Sequence, residues 1–85
     1  LNEIENITIG TVLKRVRKSL KLSQEELAHR SSLDRTYISM LERNIKQPTI
    51  TTMFLLSEAL ETKPSEFVKL LEDEFEGCTI KRNTV

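Results

Sequence analysis

Apolar residues in this chain return every three to four positions, and each such run is cut short by a cap or a stop signal. That spacing is the period of a helix, which places positions i, i+3 and i+4 on one face. No stretch alternates apolar and polar residues as a half-buried strand would, and only two Gly and two Pro occur. Ile9, Val12, Leu13, Val16 and Leu20 set a first helix over residues 8–20, with Lys14, Arg15, Arg17 and Lys18 on its other faces. Ser23 and Glu26 have the spacing of a capping box, in which each side chain meets the other's backbone N–H. The helix they open, through Leu27, Ala28 and Arg30, is too short to be stable alone and must be held by packing. Ser31-Ser32-Leu33 reads as a turn, and Asp34 as the N-cap of a third helix, Arg35 to Arg43, with Ile38 and Leu41 on one face. Asn44 follows where a left-handed residue is expected. Thr49 caps a fourth helix with Ile50, Met53, Leu56 and Leu60 in register. Pro64 opens a fifth carrying Phe67, Val68, Leu70, Leu71 and Phe75, and Gly77 stops it. The expected fold class is therefore all-α, a compact five-helix domain over residues 1–77 with a tail at 78–85.

With 85 residues, the chain is one domain with a small core, and a monomer has little room for a deep substrate pocket. The longest apolar run, Met53 to Leu56, falls far short of a membrane span. No signal peptide is legible, and the single cysteine, Cys78, excludes an internal disulfide. Both point to a reducing, cytoplasmic setting. Thirteen basic and thirteen acidic residues cancel, but not evenly along the chain. Residues 13–46 carry nine Lys/Arg against four acids, +5, while 47–85 carry four against seven, −3, and 1–12 supply −2. Such asymmetry suits one face to an anionic partner.

Two short helices joined by a tight turn, the second polar on its outer face, form a helix-turn-helix pattern over Gln24–Arg43. Ala28 allows close approach of the third helix, and Leu33, Ile38 and Leu41 fill the wedge. Arg35, Thr36, Ser39 and Met40 are left facing outward. A helix fits the major groove of B-DNA, where residues at its N-terminal end reach base edges.

The stretch LSQEELAHRSSLDRTYISMLERN, followed by PTITTMFLLSEAL, resembles the lambda-repressor/Cro-like helix-turn-helix family over about residues 9–75. Within it, the LDRTYIS segment and the short length look most like the controller proteins of restriction-modification systems. The resemblance implies that Gln24 touches the DNA backbone, that Arg35 and Thr36 read bases with Ser39 and Met40 beside them, and that Arg17 pairs with Glu42. Tyr37, Arg43 and Lys46 are further backbone candidates, the last two because a DNA strand should pass the end of the third helix. Two positions depart from the family: Ser32 and Asn44 stand where Gly is usual.

No other chemistry competes. His29 is alone and without metal-ligand spacing, Cys78 lacks a partner His, and Glu72-Asp73-Glu74 with Glu76 follows no calcium-loop spacing. No Gly-rich phosphate loop occurs, so neither an enzyme, a cofactor, a small-molecule ligand nor a metal is expected. The function this supports is a sequence-specific, double-stranded-DNA-binding transcriptional regulator of controller type, a homodimer on a palindromic operator that blocks or recruits RNA polymerase. A phage-type repressor or antitoxin of the same fold, and a helical protein-interaction module without DNA binding, are the alternatives. The fifth helix has more apolar circumference than one core stripe needs. Phe67 and Leu70 are assigned to the core; Val68, Leu71 and Phe75, joined by Phe54 and Leu55, are assigned to the dimer interface.

Overall fold

The computed structural model describes residues 2–82. Its elements run β1 (Asn2–Ile4), α1 (Gly10–Ser19), α2 (Gln24–Ser31), α3 (Arg35–Glu42), α4 (Ile50–Ala59), α5 (Pro64–Glu74) and β2 (Cys78–Ile80). Local chemistry accounts for the helix starts. Ser23 Oγ accepts from Glu26 N at 3.0 Å while Glu26 Oε1 accepts from Ser23 N at 3.0 Å, closing the capping box. Asp34 accepts from Thr36 N at 3.1 Å, and Thr49 Oγ1 from Thr52 N at 3.1 Å. Glu66 accepts from Lys63 N at 3.2 Å, and Pro64 takes the first turn of α5.

The helix ends share one device. After α1, α2, α3 and α4 the chain turns at Lys21, Ser32, Asn44 and Glu61, each with φ between 56° and 61°. In each case the next residue's N–H donates back five positions: Leu22 to Arg17, Leu33 to Ala28, Ile45 to Met40 and Thr62 to Ser57. That is the Schellman motif, which satisfies the last free carbonyls of a helix and normally uses glycine. Here no glycine serves it. Ser31, read as part of the turn, is the last residue of α2, and its hydroxyl donates to the Leu27 carbonyl at 2.7 Å.

Val12, Leu13, Leu27, Ile38, Leu41, Leu56 and Phe67 are fully buried and draw one side chain or more from every helix. Truncating one of these leucines to Ala costs roughly 2–5 kcal/mol. Two stripes run differently from their sequence reading. In α4 the buried side is Thr52, Leu56, Ser57 and Ala59, continued by Leu60, whereas Ile50 is 74% exposed. In α5 the buried pair is Phe67 and Leu71, four apart, with Leu70 and Phe75 packed on its flanks. Leu71, assigned to the dimer interface, is only 8% exposed and packs in the core cluster of its own chain. The apolar set on α5 fits two stripes one position apart, and the packing of α5 on α1 and α4 selects the one through Leu71.

The all-α expectation holds for the body, but the ends form a small parallel pair. Asn2, Glu3 and Ile4 stand opposite Cys78, Thr79 and Ile80. Residues 78–80 are thus not a tail; of the segment 78–85, residues 83–85 lie outside the described residues. A strand of three residues shows too little alternation to be read from sequence. The two strands clasp the N- and C-terminal ends beside the helical body, whose long dimension with them is 42 Å.

Candidate nucleic-acid interface

Three ties from outside α3 fix its position. At its start is the Asp34 cap. Near its end Glu42 meets Arg17 in a fork: Nε to Oε2 at 2.6 Å and Nη2 to Oε1 at 2.9 Å. Arg17 spends its remaining side on the Leu22 carbonyl, Nη1 to O at 2.8 Å, so one guanidinium joins α1, the α1–α2 loop and α3. Both side chains are nearly buried, at 9% and 3% exposure. The hydrogen bond to Glu42 outweighs desolvation and raises the Arg17 pKa above its already high ordinary value. The third tie is less familiar. Asn44 Oδ1, just past α3, accepts from Gly10 N at 2.8 Å and satisfies one of the free N–H groups that begin α1. The approach is close enough that a Cβ on Gly10 would lie 2.5 Å from the Glu42 carbonyl and collide with Asn44. Gly10 is therefore required by space, not by its backbone angles. Neither Gly10 nor this long-range cap has a sequence signal, since the two residues are 34 positions apart.

None of the ties uses the outward face of α3. Arg35 and Thr36 are exposed at its first turn; Ser39 and Met40, one turn on, are half-buried; Ile38 and Leu41 face the core. Arg43 and Lys46 are exposed in the following loop, which the Ile45 N–H folds back onto the Met40 carbonyl at 2.9 Å. Tyr37 is half-buried and packs on the core cluster. Gln24 is half-buried at the start of α2, and its Nε2 donates to Glu42 Oε1 at 3.1 Å. Glu42 thus gathers α1, α2 and α3 at one carboxylate. A glutamine amide has two N–H donors, so one remains on Gln24 for another acceptor. Of the nine basic residues in 13–46, Arg17 is engaged internally and Arg15 reaches Glu74 at 3.1 Å. The second pair is exposed and worth no more than about 1 kcal/mol.

A tight-turned helix pair with the second helix mounted this way has a family. A helix-turn-helix family profile matches residues 13–67. The chain belongs to that helix-turn-helix family. Among its relatives is an HTH-type transcriptional regulator, y4dJ, of Sinorhizobium fredii, 37% identical over 60 residues that cover 71% of this chain and 78% of the relative. Another is the control protein C.SmaI of Serratia marcescens, 49% identical over 41 residues, 48% of this chain and 49% of the relative. Among solved structures, a variant of the restriction-modification controller protein C.Esp1396I superposes with a TM-score of 0.76 at 35% identity, covering 84% of this chain and 94% of that one. That controller has also been solved as a tetramer on its natural 35-base-pair operator. The likeness to controller proteins and the five-helix fold read from the sequence are both borne out.

This helix-turn-helix chain also exposes apolar side chains on α4 and α5. Phe54 is 58% exposed, Leu55 38% and Val68 47%, and Phe75 is half-buried. Ile7 lines a groove of about 380 Å³ with Val68, Leu71, Glu72 and Phe75. Ile7 has no apolar periodicity around it, so nothing in the sequence marks it as a contributor. Among the described residues no group of His, Cys, Asp and Glu is placed to hold a metal, and no helix is long and apolar enough to cross a membrane.

Proposed function

We propose that this helix-turn-helix protein is a cytoplasmic, sequence-specific transcriptional regulator of the controller type, binding double-stranded DNA as a homodimer on a palindromic operator. The observation that carries the reading is the fixed α3 with Arg35 and Thr36 exposed at its N-terminal turn. A guanidinium there suits guanine O6 and N7, and a threonine suits a base edge or a thymine methyl. Ser39 and Met40 continue the same outward side. Gln24, with its remaining amide N–H, and Arg43 and Lys46, exposed past the helix end, supply phosphate contacts, as does the hydroxyl of Tyr37.

One such module buries only about 600–1,000 Å² on DNA, marginal for specific affinity. A second copy brings its half-site in at high effective concentration. Phe54, Leu55, Val68 and Phe75 are the apolar side chains available to it. An operator occupied by the dimer blocks or recruits RNA polymerase according to its position, and the reading assigns the chain no reaction and no cofactor. The deciding experiment is selection of bound sequences from a random duplex pool. Enrichment of a palindrome with half-sites about 10 base pairs apart is expected. No enrichment over input would leave a helical interaction module without a DNA role.

A further inference from the structure

The β1–β2 pair is too small to stand as it is. Two short strands are marginal in water, and parallel strands are ordinarily covered on both faces. Among the described residues the two strands make their main contacts with each other, and Ile80 is 53% exposed. We infer that the free edge of β2 pairs antiparallel with β2 of a second copy, Ile80 opposite Ile80, so that one sheet of order β1-β2-β2-β1 crosses the dimer. This deepens the homodimer reading above, on which it rests, by naming a seam of that dimer.

The backbone polarity sets the edge and the register. Lys81 N donates to the Ile4 carbonyl at 2.6 Å, so Thr79 and Lys81 turn their backbone groups toward β1. Side-to-side alternation then turns those of Cys78, Ile80 and Arg82 to the open edge. Of these, Cys78 N is already spent on the Phe75 carbonyl at 3.0 Å. A two-fold through Ile80 uses what remains. Each Ile80 N–H donates to the partner's Ile80 carbonyl, and each Arg82 N–H donates to the partner's Cys78 carbonyl. The register in which Cys78 faces the partner's Ile80 would need the Cys78 N–H that is already bonded, and the one in which Ile80 faces the partner's Arg82 would set Lys81 directly opposite Lys81, like charges face to face.

Charge picks a second copy as the occupant. Glu76 precedes β2, and Lys81 and Arg82 follow it. Antiparallel self-pairing lays the basic end of one strand toward the acidic end of the other, favourable cross-strand company. The open edge of β1 offers no such match, because its self-pairing would face Glu3 and Glu5 with the same two carboxylates.

Position-specific cross-linking tests the seam. In a Cys78→Ser background, Ile80→Cys places two thiols across a directly opposed pair with Cα atoms about 5.5 Å apart, within disulfide range. Thr79→Cys and Lys81→Cys sit a diagonal apart, beyond it. Mild oxidation should link the Ile80→Cys chain into a covalent dimer and leave the other two largely unlinked. Ile80→Pro removes an N–H that β1 does not use. It should keep the monomer's helical signal and weaken dimerisation about tenfold or more. Equal linking at all three positions, no linking at 80, or an Ile80→Pro dimer as tight as the parent's would overturn the seam. Sedimentation of the parent chain separates the two readings. A dimer that fails to link through position 80 removes only the seam, while a parent that stays monomeric, free and on DNA, removes the homodimer itself.

Discussion

Single side chains in this protein divide into those that mount α3 and those that α3 presents. Arg17 and Glu42 belong to the first kind. Their fork is nearly buried, so removing one partner strands a charge, and Arg17→Met or Glu42→Gln should each lower stability by about 3–5 kcal/mol in denaturant melts. Midpoints like the parent's would show that the fork contributes nothing. Arg35 belongs to the second kind, and it should fail differently from Lys46 in the loop that follows α3. Arg35→Ala should cost about 1–3 kcal/mol on the cognate duplex and relax preference at one base pair per half-site. Lys46→Ala should weaken cognate and scrambled duplexes alike and flatten the log–log salt slope by about one unit per protomer. Equal losses on both duplexes for Arg35→Ala would make that residue a backbone contact. The sequence displayed the presented side chains well, because a polar helix face after a tight turn is a local pattern. It could not phase α5. Val68 and Leu71 are both apolar, and only packing against α1 and α4 decides which of them is covered. Gly10 was equally silent, since what fills the space at its Cα comes from residues 42 and 44.

Helices were legible as elements because each carries its own start signal, and their ends follow from backbone geometry that the side chains tolerate at a cost. Left-handed residues without glycine are strained by about 1–2 kcal/mol relative to the ordinary helical region, less for Asn. Lys21 and Glu61 hold such angles at exposed positions. Lys21→Gly and Glu61→Gly should therefore raise the melting midpoint, each by an amount equivalent to up to about 1 kcal/mol, against the usual penalty of added glycine. A lower midpoint in either would show that the loop has another way of relieving the strain. The capping box of α2 gives the pH dependence its sign. Hydrogen bonds from the Ser23 backbone, then from its hydroxyl, hold the Glu26 carboxyl below its ordinary 4.5. A depressed carboxyl contributes stability that is present above the unfolded-state value and lost as pH falls through the folded one. Acid titration below about pH 4.5 should loosen α2, and Glu26→Gln, which keeps the cap acceptor but cannot titrate, should flatten that part of the curve. An unchanged acid limb would assign the loss to other carboxylates. The strands escaped the sequence reading for the opposite reason. Three residues carry no period, and their pairing partner lies at the other end of the chain.

As a whole molecule the chain separates a basic stretch, centred on α1 to α3, from an acidic one in α4 and α5, and the exposed apolar side chains Ile50, Phe54, Leu55 and Val68 lie on the second. The two proposed assignments, polyanion to one part and second copy to the other, draw on different side chains. Val68→Asp tests the division: it should leave the helical signal intact and shift sedimentation at micromolar concentration from dimer toward monomer. Leu71→Asp, by contrast, should unfold the chain, because it buries a charge beneath α5. A Val68→Asp chain that dimerises as tightly as the parent would move the interface off this side. The way α3 is mounted bears on how such a protein changes its target over generations. Asp34, Glu42 and Asn44 bind the helix to the frame, and the side chains of Arg35 and Thr36 take no part in those bonds, the Asp34 cap using only the Thr36 backbone N–H. Substitutions at the exposed pair are therefore nearly free of folding cost, within about 0.5 kcal/mol. On the proposed reading of Arg35 and Thr36 as base readers, a lineage can drift through alternative operators without first acquiring compensating changes in its core, and the vocabulary of the helix evolves separately from its grammar.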